Sequence, residues 1–355
     1  MPTDHPRRYI RTQPKESPIA RALSVIWSAW RTPASALEQP YIKDWLDRAA
    51  LRGRWTFTQI HEVRLVLRVL PVFATSVVYW TIYQQMSSVF VQQGLQMNRA
   101  VTPWLTIPSA SLSTFDTVSI VVLVPVFEVA VYPALQVMGC RLTQLQKMGW
   151  GLSVAACAMG VAAVVEHYRL RTVLAGHIVP GSSPPAADMS VFWQVPQYVL
   201  IGVSEVLASI AQLEFFYDQA PRPMRSCAMA LQLLSSALGM YLSSAILYAV
   251  QQLTQPSPWI ADDLNDGRLD LYFLLLVGLT LANLFAHVLV AMQYEYRAPP
   301  LVPRPAVPTS VVAYQPPTSR PSASVPIAFT PLHNADVARS VTSMAATPLL
   351  PANFR

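Results

Sequence analysis

A single glutamate, Glu205, lies near the middle of a long apolar stretch, residues 190–216, SVFWQVPQYVLIGVSEVLASIAQLEFF. At about 1.5 Å per residue, a helix of this length crosses a hydrocarbon core of about 30 Å. An isolated carboxylate at the centre of such a span costs about 2.5–3.5 kcal/mol. The carboxyl group therefore serves either a path for protons or substrate, or a permanent structural pair with a charge on another helix.

Aromatic side chains with polar tips lie in the middle of the first apolar run. Trp80, Tyr83 and Ser87 share one face at helical spacing, so they either line a cavity or pack against a neighbouring helix. His287 stands alone among Leu and Val in the last apolar run, where it is a packing residue or a proton relay. No glycine-rich phosphate loop, nucleophile elbow or metal-ligand spacing occurs, so no enzyme, metal site or cofactor is predicted.

The composition is that of a membrane protein. The 355 residues are 53% hydrophobic and only 12% charged, whereas a soluble domain carries about 25% charged residues. The net charge of +6 resides mainly outside the apolar runs, which indicates membrane topology rather than nucleic-acid binding. The three cysteines, Cys140, Cys157 and Cys227, have no disulfide or metal spacing and are expected to be small apolar residues.

Six apolar runs predict an all-α membrane protein with six transmembrane helices, within a domain of residues 65–296. The predicted spans are residues 65–89, 114–138, 147–165, 190–216, 227–250 and 271–292. The third is rich in small residues and is expected to be a packing helix. In the fifth, Ser235, Gly239 and Ser243 form a stripe of small residues that should lie flat against a neighbour.

The segments at the two ends are predicted to be cytoplasmic. The loops on the opposite side hold only Arg99, Arg169, Arg171 and Arg268, so the excess of basic residues lies on the side of both termini. Residues 1–64 should form a cytoplasmic linker, with an amphipathic helix after Pro18 that contacts either the protein or the membrane surface through Ile19, Leu23, Ile26, Trp27 and Trp30. The proline-rich residues 297–355 should form a disordered tail.

A specific resemblance lies in the stretch around Glu205. Twelve residues fall in the order and spacing of the tenth helix and following loop of the proton-coupled oligopeptide transporters, above all their plant nitrate/peptide branch: Phe192, Pro196, Gln197, Gly202, Glu205, Glu214, Phe215, Tyr217, Pro221, Met224, Arg225 and Ser226. Residues 57–75 resemble the entry into the seventh helix, with Thr58 as the expected N-cap. The resemblance covers the central linker and helices seven to twelve. It implies the C-terminal half of a major facilitator fold, built of two inverted three-helix repeats.

The resemblance also implies roles for single residues. Glu205 matches the glutamate that acts in proton coupling and gating. The residues expected to line the substrate cavity are Trp80, Tyr83, Phe115, Asp116 and Gln197. Asp116 has an alternative role, which is to satisfy the positive end of its own helix. The nitrate-carrying member of the family has a histidine where this chain has Tyr83, and a neutral tyrosine argues against nitrate.

A cytoplasmic latch is expected beyond the fourth span. Its residues would be Glu214, Arg222 and Arg225, which otherwise form loop salt bridges of little energetic worth.

The function expected from these observations is proton-coupled transport of small solutes, such as di- and tripeptides or nitrate. The family's Glu-x-x-Glu-Arg/Lys motif of the first helix has no counterpart, so the chain is expected to carry only the C-terminal half of the transporter. The alternative is a non-transporting membrane protein that regulates a full-length transporter. The expected partners are protons, a small-molecule substrate, the lipid bilayer and a first-half or full-length transporter, without nucleic acid. The expected location is the plasma membrane or the vacuolar membrane.

Overall fold

The structure, a computed structural model, describes residues 17–32, 44–52, 54–102, 104–182, 185–261 and 263–296. Within them, six helical segments are long and apolar enough to cross a membrane: Phe57–Leu95, Ser109–Val137, Gln144–Leu174, Val191–Gln219, Arg222–Leu253 and Leu269–Gln293. Each predicted span lies within one of these segments, apart from one residue at the end of the second and one at the start of the fourth, and the third segment continues to Leu174, beyond the predicted end at residue 165. The six-span prediction is therefore confirmed, whereas the tail expected at 297–355 lies outside the described residues.

The helices in chain order are α1 (Pro18–Arg31), α2 (Phe57–Tyr83), α3 (Val89–Leu95), α4 (Ser113–Val126), α5 (Tyr132–Val137), α6 (Gln144–Leu174), α7 (Val195–Gln219), α8 (Arg225–Leu253) and α9 (Leu269–Gln293). A π-helical turn, Phe127–Val131, joins α4 to α5. Short 3₁₀ segments cover Trp45–Arg52, Gln84–Ser87, Ser109–Leu112, Val191–Gln194 and Arg222–Met224. Two small sheets complete the described part: β1 (Met97–Asn98) pairs in parallel with β4 (Ala187–Ser190), and β2 (Ala100–Thr102) pairs antiparallel with β3 (Leu105–Thr106).

Two long helices begin at capping boxes. In α2, the Gln59 amide donates to the Thr56 hydroxyl at 3.3 Å, and the Thr56 amide donates to Gln59 Oε1 at 3.0 Å. Thr143 and Gln146 form the same arrangement at the start of α6. The predicted cap Thr58 is therefore wrong, because Thr56, two residues earlier, has the partner that a capping box requires.

Small residues hold the spans close together. A Cβ built on Gly151 of α6 would lie 2.6 Å from the Cβ of Ala208 on α7, and Ser204 donates to the Gly151 carbonyl at 2.8 Å. Gly239 of α8 packs as closely on Trp80 of α2. The flanking Ser235 and Ser243 are buried, which confirms the predicted flat stripe. By contrast, α4 is largely exposed, including Val118, Val121, Val122 and Val126.

The helix α1 packs on the protein through one face only. Val25 and Ala29 are buried against the 3₁₀ segment and the start of α2, and Arg21 pairs with Glu62 at 2.8 Å. Of the predicted apolar face, Ile26 contacts this cluster, whereas the other four residues are exposed: Ile19, Leu23, Trp27 and Trp30. The helix is thus bound to the start of α2 and leaves an aromatic, apolar stripe on its opposite side.

Candidate functional site

Two carboxyl groups lie near each other at the contact between α4 and α7. Asp116 of α4 is buried, and Gly202 of α7 lies so close that a built Cβ would be 3.1 Å from its Oδ1. The glycine lets α7 approach α4, which brings the half-buried Glu205 within electrostatic reach of Asp116. Asp116 Oδ1 and Glu205 Oε2 are both buried without a hydrogen-bond partner in the described part of the chain. Each carboxyl group therefore has an acceptor free for a proton or a ligand.

Three tyrosines surround the carboxyl pair. Tyr83 of α2 contacts the Glu205 carboxyl group, and Tyr198 of α7 lies near Asp116. Tyr79, one turn before Tyr83, is buried beside the Ser204 side chain, and the Tyr198 hydroxyl lacks a partner among the described residues. Because a phenol can donate to a carboxylate or accept from a carboxylic acid, these hydroxyls can adjust to either protonation state.

No basic side chain pairs with Glu205 or Asp116 within the described ranges, since every salt bridge there involves other carboxylates. A permanent structural pair for Glu205 is therefore not observed in that part of the chain. Two like-charged groups in an apolar surrounding are costly to ionise together. The site is suited to bind a proton or a cationic group.

The other expected cavity residues lie on the same three helices as the carboxyl site. Trp80 donates from Nε1 to Gln212 at 3.1 Å and places its ring edge-on to Tyr83 at 5.3 Å. Phe115 makes an edge contact with Phe192 at 6.4 Å. Gln197 is fully buried, and its Nε2 donates to Gln93 at 3.1 Å. All three lie on elements that contribute to the carboxyl site, and their role in binding stays a prediction.

The three residues of the expected latch are not joined in the structure. Glu214 pairs with Lys147 at 3.7 Å, whose ammonium group lies 4.2 Å from the centre of the Tyr132 ring. Arg225 instead donates to the Tyr217 hydroxyl at 3.0 Å. Arg222 is exposed, and no ion pair joins Glu214 to either arginine in the described ranges. Glu214 therefore pairs with Lys147 of α6 and not with the predicted partners Arg222 and Arg225.

A buried ion pair on α6 was missed by the sequence analysis, which ended the third span at 165 and assigned Arg169 to a loop. Glu166 and Arg169 are both fully buried, with Nη2 of the arginine 2.7 Å from the carboxylate. Arg169 Nη1 also donates to Asn265 at 2.7 Å and to Gln96 at 3.3 Å. These contacts hold the last turns of α6 against the neighbouring segments. The Glu-x-x-Arg spacing on a helix was the available signal.

His287 connects three helices. Its Nε2 lies 2.9 Å from the Leu145 carbonyl, which can only accept, so Nε2 carries a proton. Its Nδ1 lies 3.2 Å from the Thr75 hydroxyl. Both ring nitrogens are thus used in contacts between α9 and its neighbours, which favours the packing hypothesis over the relay. Within the described residues, no group of His, Cys, Asp and Glu is placed to hold a metal ion.

Comparisons with known proteins agree with this architecture. The family model for the POT family (PTR2) matches residues 6–260. "Protein NRT1/ PTR FAMILY 8.3" of Arabidopsis thaliana is 41% identical over 68% of this chain and 42% of its own length. For "Protein NRT1/ PTR FAMILY 8.1" the identity is 42%, over 68% of this chain and 43% of the relative. The chain therefore spans less than half the length of these curated relatives.

Two solved structures share the fold. An auto-inhibited POT family peptide transporter superposes with a TM-score of 0.56 at 20% identity, covering 82% of this chain and 57% of that one. The POT family transporter PepTSo gives a TM-score of 0.54 at 22% identity, covering 81% and 57%.

Proposed function

The chain belongs to the POT family. We propose that it forms one wall of the substrate cavity, the wall that carries Glu205, in a proton-coupled secondary transporter of small solutes. We propose further that this transporter prefers di- and tripeptides to nitrate. In such transporters the substrate lies near the bilayer midplane between two sets of helices. The second wall comes from helices equivalent to the first half of the relatives. The chain acts with that half, either as one polypeptide or as a partner.

The carboxyl pair Glu205 and Asp116 carries this proposal. Each has a buried oxygen without a partner in the described ranges, and the tyrosines beside them can follow a change of protonation. When Glu205 is charged, the Tyr83 hydroxyl can only donate to it; when Glu205 is protonated, its O–H can instead donate to the Tyr83 hydroxyl. Because Tyr83 and Glu205 lie on different spans, this exchange biases the packing of α2 against α7.

The charge of the site supports peptides over nitrate. Two carboxyl groups attract the ammonium group of a peptide and repel an anion. No described lysine, arginine or histidine pairs with them, and Tyr83 stands where the nitrate-carrying member of the family has a histidine. Both solved structures with this fold are POT family transporters, and one of them is a peptide transporter. These observations together support the proposal that the substrate is a peptide and not nitrate.

Uptake into proteoliposomes tests the proposal. The chain is joined to the first half of the 8.1 relative and given an inward proton gradient, with labelled Ala-Ala or nitrate outside. We expect accumulation of Ala-Ala that a proton ionophore abolishes, and no accumulation of nitrate. Asp116→Asn should weaken Ala-Ala uptake, whereas Asp218→Asn, at the exposed C-terminal end of α7, should leave it unchanged. Gradient-driven nitrate uptake without peptide uptake would overturn the substrate class.

A further inference from the structure

One face of the helix α1 attaches it to the first membrane span. Val25 and Ala29 are buried in the same cluster as Ile60 of α2, and Arg21 pairs with Glu62 at 2.8 Å, with both side chains largely buried. The cluster also contains residues of the 3₁₀ segment Trp45–Arg52. These contacts fix α1 beside the first two turns of α2, so its position relative to that span is defined.

The opposite face of α1 carries an apolar stripe, which consists of Ile19, Leu23, Trp27 and Trp30. Their exposed fractions are 57%, 62%, 53% and 73%. With 3.6 residues per turn, the four side chains fall within an arc of about 80°. The rings of Trp27 and Trp30 are 5.5 Å apart, and the guanidinium carbon of Arg31 lies 4.8 Å from the centre of the Trp27 ring. An exposed apolar surface bordered by a cation is typical of an interaction site.

Charged residues mark where the bilayer core ends on this side. Arg68 of α2 and Glu295, just beyond the end of α9, pair at 3.5 Å and are both exposed, which places them among lipid headgroups and not among acyl chains. The cluster that holds α1 extends along α2 from Ile60 to Leu67, the residue before Arg68. At about 1.5 Å per residue it covers about 12 Å on the water side of Arg68, which includes a headgroup layer of about 5–8 Å. The helix α1 is therefore held beside the headgroups.

The residue types around the stripe are those of a boundary between lipid and water. An indole has an apolar ring and a polar N–H group, so tryptophan is enriched at this level of a membrane. Two more aromatic rings, Trp45 and Phe57, are exposed on the elements that hold α1. In the sequence, residues 1–31 carry six Lys or Arg against two Asp or Glu, and α1 has no acidic residue. An anionic membrane surface attracts a segment of this charge.

We propose that α1 lies in the headgroup layer of the bilayer, with the stripe turned toward the acyl chains. The face with Val25 and Ala29 stays on the protein, so the helix is bound on one side by α2 and the 3₁₀ segment and on the other by lipid. The segment ahead of the first span is thereby anchored to the membrane surface. This inference is independent of the proposed transport function.

Spin labels on α1 test the proposal in the chain as it stands. The chain, with its native cysteines replaced by alanine, is placed in bilayers of phosphatidylcholine and phosphatidylserine, and single cysteines are labelled. Leu23→Cys and Trp30→Cys probe the stripe. Ser24→Cys is the matched control, because Ser24 lies about 100° further round the same helix than Leu23. Leu281→Cys, on an exposed position in the middle of α9, gives the reference for lipid.

The measured quantity is the ratio of collisions with oxygen, which concentrates in lipid, to collisions with a nickel chelate, which stays in water. The two stripe positions should give ratios several-fold above that of Ser24→Cys and closer to that of Leu281→Cys. Leu23 and Trp30 are exposed, so labels there leave the packing of α1 on α2 intact. Equal ratios at Leu23 and Ser24 would overturn the proposal, because the stripe would then face water.

The same labels in the chain joined to the first half of the 8.1 relative distinguish lipid from a protein partner. An oxygen ratio at Leu23 and Trp30 that stays high supports the lipid contact. Loss of collisions with both reagents at these two positions would show that the first half covers the stripe, and it would overturn the proposal. Transport by the joined protein enters neither result, so the proposed function stands or fails separately.

Discussion

Gly151 is the position where one added methyl group should force two spans apart. A Cβ there would lie 2.6 Å from the Cβ of Ala208, 2.8 Å from its backbone nitrogen and 3.0 Å from its Cα. Backbone atoms cannot rotate away as a side-chain tip can, so α6 and α7 must separate to accept Gly151→Ala. Gly160 on the same helix offers a matched control, because a Cβ there has no neighbour within 4 Å among the described residues.

The expected magnitudes follow from the two surroundings. Replacing glycine by alanine inside a helix gains about 0.8–1 kcal/mol, which Gly160→Ala should show as a small stabilisation. At Gly151 the same gain is opposed by an overpacking cost of about 1–3 kcal/mol. Moving the helices apart also weakens the bond from Ser204 to the Gly151 carbonyl, worth about 1 kcal/mol. The two variants should therefore differ by about 2–4 kcal/mol in the free energy of unfolding.

Thermal unfolding of the purified chain in lipid nanodiscs, followed by tryptophan fluorescence, measures this difference. With a shift of about 2–4 °C per kcal/mol, Gly151→Ala should melt at least about 4 °C below Gly160→Ala. Equal melting temperatures would refute the close packing of α6 on α7, and with it the geometry that places α7 in the site.

Three further predictions concern charge and topology. Arg169→Met leaves a buried carboxylate unpaired and should cost about 3–5 kcal/mol in a melting experiment, whereas the exposed Arg171→Met should stay within about 0.5 kcal/mol. Burial raises the pKa of the Tyr294 phenol from 10.0 to about 12, so its contribution to stability is complete below pH 10.0 and is lost as the pH rises toward about 12. Melting temperatures of the parent should accordingly fall more steeply than those of Tyr294→Phe above pH 10.0. Cysteines introduced at Ser183 and Ser310 should react with an impermeant reagent from opposite faces of the membrane, and labelling from one face would contradict the predicted topology.

Hydropathy predicted the spans because each is a long apolar run, whose burial in lipid needs no knowledge of its neighbours. The stripe around Gly239 could be predicted from its own segment alone. Small residues at helical spacing indicate a close contact, whichever helix makes it. Glu205 was recognisable from the cost of a carboxylate in such a run. The resemblance, carried by a dozen residues of the same stretch, then gave the fold.

Partners could not be predicted where they lie far apart in the sequence. Arg169 looked like the end of a loop because its acceptors, Asn265 and Gln96, lie about a hundred and about seventy residues away. The partner of Glu214 was missed for the same reason, since in the structure it pairs with Lys147 on another helix and not with the nearby arginines. The orientation of an amide such as Gln197 depends on a chain of neighbours that no local pattern contains.

The central claim is that Glu205 couples protons to transport. It is tested by gradient-driven accumulation of Ala-Ala in proteoliposomes that contain the chain joined to the first half of the 8.1 relative, comparing the parent with Glu205→Gln. The glutamine keeps the size and polarity of the side chain but cannot exchange a proton. We expect accumulation to collapse while the melting temperature and the yield of inserted protein stay close to those of the parent. Accumulation as strong as in the parent would contradict the account, because the glutamate would then not be the coupling residue.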